Sequence, residues 1–497
     1  MQQNLTEWDQ DVVNNPEEDY QAFLRGLLWH DGFELAFVRC SPAGGVELIQ
    51  KVRDDLPQKQ IGVLELNEPI DNLINIVKDF PNQSQLDILF ISGLEKSLID
   101  YIHTGYGGDG DYYNLDTIPP ILSHLNWQRE NFRDKFHHLC FVFLLPRFAI
   151  KYILRRAPDF FDWGSGVVEF PTSRDLVAQE SQRIMLQGGY QEYLGWTSQQ
   201  RTQKIIEIEE LLTEPNQTQN RQVSLLVEQG NVLSANKQYE EAIASYDKAL
   251  EFKPDYQNAW HVRGIALSAL GRYEEAITSF DRALQIKPDD QAWNNRGAAL
   301  DNLGRYEEAI VSFDQALQFK PDYQDAWNNR GAALGNLGRY EEAIISFDQA
   351  LQFKPDLHEA WYNRGIVLGN LERYEEAITS FDQALQFRPD LHQAWNNQGN
   401  MLGKLKRYEE AITSFDQALQ FKPDLHQAWN NRGSVLGILE RYEEAIASYD
   451  QALQIKPDNA WYIRGIALSA LGRYEEAIAS FDQALQFKPD DNKAWHN

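Results

Sequence analysis

The chain has 497 residues, which is too long for one hydrophobic core and long enough for a repeat array plus a globular domain. Its formal net charge is −28, to which residues 1–220 contribute −15 (18 basic, 33 acidic) and the remainder −13 (28 basic, 41 acidic). Nucleic acids and anionic membranes attract basic surfaces, so an acidic excess in both parts argues against either partner.

The cysteines and the apolar segments indicate a cytoplasmic protein. Cys40 and Cys140 are the only cysteines, and neither lies in a CxxC pair or at metal-ligand spacing from a histidine, which favours a reducing compartment without disulfides or zinc. The first residues, MQQNLTEWDQDVV, lack the basic and apolar regions of a signal peptide. The longest apolar run, Leu139–Leu145, is too short to span a bilayer. We expect no cofactor and no metal.

Residues 1–172 alternate between short apolar runs and helical stretches. The predicted strands are Glu34–Arg39, Ile61–Leu66, Leu86–Ile91 and His138–Leu145, and the predicted helices are Val46–Leu56, Ile70–Phe80, Pro120–Phe136 and Arg147–Arg156. This alternation predicts an α/β domain with a mostly parallel sheet covered on both faces. Residues 173–220 are predicted to form a helical linker.

The segment SPAGG, Ser41–Gly45, separates the first strand from a helix, where a phosphate-binding loop would lie. The third strand, in LDILFISGLE, has the shape of the apolar strand that ends in acids near Mg²⁺ in nucleotide-hydrolysing enzymes. In the order and spacing of these elements, about residues 20–170 resemble the P-loop nucleoside-triphosphatase domains of the AAA and STAND type. The resemblance implies a nucleotide site at Ser41–Gly45.

The residues that nucleotide chemistry needs are replaced. A phosphate loop ends in Gly-Lys-Ser/Thr, whereas Gly45 is followed by Val46 and Glu47, whose carboxylate would repel a triphosphate. On the third strand, Ser92 takes the slot of the metal-binding Asp, which leaves only Glu95 nearby. We therefore predict an inactivated domain without catalytic residues.

Three interpretations of Ser41–Gly45 remain. The segment is a tight strand-to-helix turn, or a degenerate site that holds a nucleotide through backbone N–H groups, or a weak, non-standard NTPase. The degenerate site would use Gly44, Gly45 and Arg147, with Arg155 and Arg156 as further phosphate contacts.

Two other segments contain residue types that occur in metal-binding or catalytic sites. His103–Asp116, HTGYGGDGDYYNLD, lacks the spacing and the closing Glu of an EF-hand, so it predicts a surface loop rather than a Ca²⁺ site. Cys140 lies near His137 and His138 but within an apolar strand, where a thiol is usually inert.

The second half of the chain is a repeat with a period of about 34 residues. Tryptophans recur at Trp260, Trp293, Trp327, Trp361, Trp395, Trp429, Trp461 and Trp495, and a glycine follows four residues after each of the first seven. Within the unit Tyr323–Asp356, apolar residues fall at helical spacing in two segments of about 14 residues. A fixed period of this size predicts a stack of helix hairpins.

The sequence of the unit Tyr323–Asp356, the reference unit, predicts how its two helices pack and where they begin and end. Trp327, Leu334 and Leu337 form one buried stripe, and Gly331 lets the second helix approach where Ala343 and Ala350 face it. Glu341 and Glu342 suit the start of the second helix, which Lys354 closes before Pro355.

These residues resemble the tetratricopeptide repeat (TPR) family. Seven slots match its signature, at Trp327, Gly331, Tyr340, Ala343, Phe347, Ala350 and Pro355. The resemblance implies an all-α superhelical solenoid over residues 221–497, with eight units and the start of a ninth at Trp495. The first unit, Arg221–Asp255, carries Leu226 in the tryptophan slot, as an end unit can.

One departure from the family is systematic. The slot before the glycine, usually Leu, holds Arg263, Arg296, Arg330, Arg364, Arg432 and Arg464, with Gln229 and Gln398 in the other two units. Every unit also has an Asp one residue after its Phe or Tyr, such as Asp314 and Asp348. We predict an Arg–Asp ladder within or between units; the alternative is that both side chains face solvent.

The concave face of such an array binds extended peptides or helices in the family. The slots expected to line this groove are neutral and rich in amides: Asn294, Asn328, Tyr362, Asn396, Asn400, Asn430 and Tyr462. The lysines with which chaperone-binding members grip a carboxylate are absent from these slots. The alternative is that the units were duplicated recently and have no selected ligand.

These observations predict a non-enzymatic scaffold that binds protein or peptide partners through the groove. Trp495 begins a further first helix close to the end of the sequence, so we expect either that the natural chain continues or that this open end stacks on a partner, such as another copy of the chain. The alternative is a nucleotide-dependent, STAND-like signalling switch in which the array is the sensor.

Overall fold

The computed structural model describes residues 16–102, 117–457 and 460–487 of the chain. The chain forms two compact units, residues 1–272 and 273–497. The division falls inside the repeat array, and the domain boundaries expected near residues 172 and 220 stay predictions.

The first unit contains a five-stranded parallel sheet. Its strands are β1 (Glu34–Arg39), β2 (Ile61–Glu65), β3 (Ile88–Ser92), β4 (Cys140–Leu145) and β5 (Gly164–Glu169). They are arranged in the order β2-β3-β4-β1-β5, and every neighbouring pair is parallel. The predicted parallel sheet is therefore confirmed.

Nine helices accompany the sheet within the described part of the first unit, before the repeats begin. They are α1 (Pro16–Trp29), α2 (Pro42–Asp55), α3 (Leu73–Lys78), α4 (Pro120–Lys135), α5 (Arg147–Arg156), α6 (Pro158–Phe161), α7 (Arg174–Leu186), α8 (Tyr190–Gly195) and α9 (Ser198–Thr213). The four strands and four helices predicted from sequence are present, although α3 is shorter than Ile70–Phe80 and α2 begins before Val46. Three elements were missed, α1, α6 and β5. The edge strand β5 has the glycine-rich sequence GSGVVE and no buried residue, so it carries little hydrophobic signal.

Hydrophobic cores cover both faces of the sheet, as predicted for parallel strands. One core contains five stacked or edge-packed rings, at Phe37, Phe132, Phe141, Phe143 and Phe160. The other lies under α1 and α2 and includes side chains from alternate positions of β1 and β4, namely Ala36, Val38, Cys140 and Val142. The strands are thus buried on both sides, which fixes their register.

Sixteen helices continue the described chain in the hairpin pattern that the period predicts. They are α10 (Gln219–Ala235), α11 (Tyr239–Phe252), α12 (Gln257–Ala269), α13 (Tyr273–Ile286), α14 (Asp290–Asn302), α15 (Tyr306–Phe319), α16 (Gln324–Asn336), α17 (Tyr340–Phe353), α18 (His358–Asn370), α19 (Tyr374–Phe387), α20 (His392–Lys404), α21 (Tyr408–Phe421), α22 (His426–Ile438), α23 (Tyr442–Ile455), α24 (Ala460–Ala470) and α25 (Tyr474–Phe487). Seven pairs, α10–α11 and α14–α15 to α24–α25, pack as hairpins within the described residues of one compact unit or the other. Trp495 lies outside the described residues. No helix in residues 16–102, 117–457 or 460–487 is both long and apolar enough to cross a membrane.

An aromatic ring on the second helix of a repeat packs so closely against the glycine on the first helix that no larger residue fits there. A Cβ at Gly331 would lie 2.6 Å from Cε1 of Phe347, which is fully buried. The predicted close approach is therefore confirmed, but the ring of Phe347, rather than Ala343 or Ala350, occupies the space.

The tryptophan stripe is less buried than the sequence predicted. Leu334 is fully buried, but Trp327 and Leu337 are only partly buried. The indole N–H of Trp327 donates to the carbonyl oxygen of Pro321 at 2.9 Å, in the turn before its own helix. Trp327 thus anchors a turn, so its truncation should cost less than the roughly 3–5 kcal/mol of a fully buried aromatic.

The second helix of the reference unit begins and ends as predicted. Glu341 and Glu342 lie in the first turn of α17, and Glu342 accepts two hydrogen bonds from Arg339, at 2.7 and 2.6 Å. Lys354 follows the last helical residue. The turn between the helices needs a left-handed residue, which is Gly338 here (φ 75°) but Glu372 in the next unit (φ 61°).

An Arg–Asp ladder joins successive units. Arg330 Nε donates to Asp314 Oδ1 of the preceding unit at 2.7 Å, and its Nη1 donates to Ser346 Oγ of its own second helix at 2.7 Å. Its guanidinium also lies 5.8 Å from the centroid of the Trp327 ring. The same Arg–Asp bond recurs at Arg263–Asp247, Arg296–Asp281, Arg364–Asp348, Arg432–Asp416 and Arg464–Asp450, and Gln398 donates to Asp382. The ladder is confirmed, and it runs between units.

We predict that Gly331→Ala destabilises the array by about 1–3 kcal/mol, because the added methyl group overpacks the ring of Phe347. Urea denaturation followed by far-UV circular dichroism measures the loss. Gly335→Ala on the same helix is the control, since its Cβ would approach only Val367, at 3.3 Å. Equal midpoints for the two variants would contradict the packing.

A double-mutant cycle on Asp314 and Arg330 should give a coupling free energy of about 0.5–1 kcal/mol, because Asp314 is nearly half exposed. Urea denaturation of the two single alanine variants and the double variant measures it. The matched cycle pairs Arg330 with Asp348, which bonds Arg364 instead. Zero coupling in the first cycle, or equal coupling in both, would argue against the ladder.

Candidate functional site

The sheet topology marks a place where parallel sheets commonly bind ligands. The chain leaves β1 towards β2 at one edge of the sheet and leaves β4 towards β5 at the other edge, although β1 and β4 are neighbours. Ligands of open α/β sheets bind outside the carboxyl ends of such strands. We call the backbone at Cys40–Gly45 and Pro146–Phe148, which follows these two strand ends, the switch-point site.

On the β1 side of the switch-point site, the hydroxyl group of Ser41 bonds to the backbone of its own loop. Ser41 Oγ accepts from the N–H of Gly44 at 3.0 Å and lies 2.7 Å from Thr172 Oγ1. Gly45 N–H donates to the Ser41 carbonyl oxygen at 2.8 Å. The backbone donors that a phosphate would need at Gly44 and Gly45 are therefore already used within α2.

On the other side, a carboxylate from α9 occupies the anion position. Glu210 accepts from the N–H of Arg147 at 3.0 Å through Oε2 and from the N–H of Phe148 at 3.1 Å through Oε1. These are the first two residues of α5, where unpaired donors and the helix dipole favour a negative group. A residue of the predicted linker thus fills the position that a ligand anion would take.

Further carboxylates surround the same place. Glu214, at the end of α9, accepts from Thr172 Oγ1 at 2.8 Å. Burial, reinforced by the charges of Glu95, Glu214 and Glu210, raises the pKa of Cys40 to about 12. Burial raises the pKa of Glu95 and of Glu210 as well. The site is therefore acidic and already occupied.

The arginines predicted to help bind phosphate are separated by the length of α5. Arg147 lies in its first turn, whereas Arg155 and Arg156 lie in its last turn. At 1.5 Å per residue, eight residues place these ends about 12 Å apart. The three side chains therefore do not belong to one site at the start of α5. Val46 is exposed on α2 and offers no cation.

Within residues 273–497, side-chain hydrogen bonds made by asparagines join the first helices of neighbouring repeats. We call this row of bonds the amide ladder. Asn329 Nδ2 donates to Asn294 Oδ1 of the preceding unit at 3.2 Å, and Asn363 Nδ2 donates to Asn328 Oδ1 at 3.3 Å. The ladder continues from Asn397 to the hydroxyl of Tyr362 and from Asn431 to Asn396 Oδ1.

The amide ladder changes the view of the predicted groove residues. Asn294 was expected to be exposed but is buried, because the adjacent first helix covers it. The others are partly buried, namely Asn328, Tyr362, Asn396, Asn400, Asn430 and Tyr462. Sequence reasoning missed the donor residues of the ladder, although the pair Asn-Asn or Tyr-Asn that follows Trp293, Trp327, Trp361, Trp395 and Trp429 was the signal for them.

A shallow depression lies beside this face. It has a volume of about 480 Å³ and is lined by Asn328 and Asn329 together with Lys354, His358 and Glu359. It therefore combines amide groups with charges of both signs.

Family comparisons agree with the repeat geometry. A tetratricopeptide repeat model matches residues 291–323, 325–357, 358–391, 392–425, 426–459 and 459–491, and a second tetratricopeptide repeat model matches residues 221–291. Together the matches cover more than half of the chain. The chain belongs to the tetratricopeptide repeat family. Its repeats support a protein-interaction scaffold, since proteins of this family generally bind protein partners.

Solved structures with similar chains are repeat proteins at low identity. YrrB, described as a TPR protein with an unusual peptide-binding site, is 24% identical; the match covers 39% of this chain and 97% of YrrB, with a TM-score of 0.34. PilF of Pseudomonas aeruginosa is 20% identical over 40% of this chain and 92% of its own, with a TM-score of 0.37. A TPR protein from Parabacteroides merdae is 17% identical over 52% and 99%, with a TM-score of 0.40. No curated protein matches the chain.

The remaining segments singled out from sequence bear less on the site. His103–Asp116 lies outside the described residues. Cys40 and Cys140 are both free and buried. Burial raises the pKa of the Cys140 thiol.

Glu95→Gln should stabilise the first unit at pH 7 by about 1 kcal/mol, because Glu95 Oε2 is buried without a hydrogen-bond partner among the described residues. Its pKa is raised above the ordinary 4.5, so the native state holds this proton more tightly than the unfolded state. The wild type therefore loses stability as the pH rises from 4.5 through the native pKa, and the gain should vanish below pH 4.5.

Denaturation curves at pH 4 and pH 7 check this prediction. Glu68→Gln is the control, since Glu68 is exposed. A gain from Glu95→Gln that is equal at both pH values would show that burial of the charge is not its cause.

Proposed function

We propose that the protein is a non-enzymatic cytoplasmic scaffold whose first helices bind an extended peptide segment of a protein partner. The amide ladder is the observation that carries the proposal. Each asparagine offers two donors and one acceptor oxygen with two lone pairs, so its bonds within the ladder leave capacity for a ligand backbone. A row of neutral amides held in place by neighbouring repeats is suited to form hydrogen bonds with the backbone of a peptide rather than to bind charged groups.

The fixed ladder favours affinity for a peptide in a second way. Because the amides are already held by one another, little side-chain entropy is lost when a ligand binds. The depression beside Asn328 and Asn329 adds Lys354 and Glu359 at one position of the row. The proposed ligand is therefore an extended, mostly neutral peptide with a polar side chain at that position.

The proposed role of the sheet domain is structural. It is similar in strand and helix order to an NTPase domain of the AAA or STAND type, and we propose that it is an inactivated form. Support comes from the switch-point site, where Ser41 and Glu210 take the backbone donors and Glu95 adds negative charge. A triphosphate would have to displace Glu210 and overcome that charge.

Peptide binding is best tested by selecting displayed random peptides of neutral composition against the full chain. We expect selected peptides whose affinity falls about tenfold or more when Asn328, Asn396 and Asn430 are replaced together by alanine. The matched control replaces Thr278, Thr379 and Thr413, which are exposed on second helices. The absence of selected peptides, or equal losses in both triple variants, would contradict the proposal.

The alternative is a nucleotide-dependent switch, which the position of Ser41–Gly45 at the switch-point site favours. Titration of the full chain with fluorescent ATP and GTP analogues, with and without Mg²⁺, distinguishes it. We expect no saturable binding at millimolar nucleotide. Saturable binding that Glu210→Ala strengthens would support the switch and identify Glu210 as the competing anion.

A further inference from the structure

Three side chains with metal-binding atoms meet at the amino-terminal end of the sheet, opposite the switch-point site. A ring nitrogen of His30, a carboxylate oxygen of Glu34 and the sulfur of Cys140 all lie within 4.8 Å of one another. From this arrangement we propose that the protein binds one divalent transition-metal ion of the Zn²⁺ class through His30, Glu34 and Cys140.

The fold explains how residues so distant in sequence meet. Glu34 opens β1 and is paired in register with Cys140, which opens β4. Parallel neighbours in register project their side chains to the same face of the sheet. That face is covered by α1, and His30 follows the last residue of α1. The register of the two strands and the end of α1 therefore define the cluster.

The burial of His30 and the hydrogen bonding of its ring nitrogens indicate that it binds a ligand. Its side chain is 5% exposed, and Nδ1 lies 3.2 Å from Glu34 Oε2. Its other nitrogen, Nε2, is buried and has no hydrogen-bond partner in the part of the chain that the structure describes. A buried imidazole nitrogen without a partner is costly unless something binds it. The imidazole thus has one nitrogen near Glu34 and a second available for coordination.

The chemistry of the three donors selects the ion. Thiolate and imidazole together favour Zn²⁺ and related metals over Mg²⁺ or Ca²⁺, which prefer oxygen ligands. On binding, the Cys140 sulfur forms the metal bond and its proton passes to solvent. Glu34 is 32% exposed, so solvent reaches the cluster and water can complete the coordination. Three protein ligands with one open position are expected.

Metal binding is tested on the full chain after chelator treatment, by equilibrium dialysis against Zn²⁺ and by titration with Co²⁺. We expect one Zn²⁺ per chain and, with Co²⁺, the charge-transfer absorption of a cobalt–thiolate bond. His358, His392 and His426 in the repeats offer no thiolate, so this absorption assigns the ion to a cysteine.

Matched variants identify which cysteine binds. Cys140→Ala should abolish the absorption and lower the Zn²⁺ affinity by at least about tenfold, whereas Cys40→Ala, which changes the other buried cysteine, should change neither. Glu34→Gln, at a partly exposed position, gives a variant in which misfolding is not expected, and it should lower the affinity while keeping the absorption. Failure of the wild type to retain Zn²⁺, or loss of the signal in Cys40→Ala alone, would overturn the proposal.

Discussion

The close approach of an aromatic ring to a glycine determines the geometry of each repeat. In seven of the described hairpins the ring is Phe or Tyr on the second helix, and a Cβ on the facing glycine would lie within 2.7 Å of it, as at Gly331 and Phe347. No side chain larger than hydrogen fits, so the two helices of a hairpin have one available separation. The neighbouring contacts, including the ladder between Arg330 and Asp314, depend on this separation being the same in every unit.

Much of the fold followed from periodicity, and the reasons are physical. A helix hairpin repeated every 34 residues leaves a strong signal, because the same buried positions recur many times. Strands β1 to β4 were predictable since burial on both faces makes them continuous apolar runs. Strand β5 was not, because an edge strand with exposed residues and two glycines has no such run.

The sites were less predictable than the fold. Gly45, Val46 and Glu47 lack the Lys and Ser/Thr of a standard phosphate loop, but nothing near them indicated that Glu210 would bind the start of α5. A contact between residues 63 positions apart depends on how α9 returns to the sheet. The cluster of His30, Glu34 and Cys140 escaped a search by spacing for the same reason, since strand register rather than sequence distance brings it together. The burial of Trp327 was overestimated because its indole packs only partly buried against Ala326 and donates to the turn before its own helix.

The ladder has a consequence for how such a chain changes length over evolution. Most repeats carry an arginine that bonds the aspartate of the repeat before it and an aspartate that accepts from the arginine of the repeat after it, as Arg330 and Asp348 show within one hairpin. A duplicated repeat inserted between two others could form the Arg–Asp bond with both neighbours. After a deletion, the two repeats brought together could form the same bond. The near-identity of the units is therefore what allows unequal recombination to lengthen or shorten the array without creating an unmatched interface.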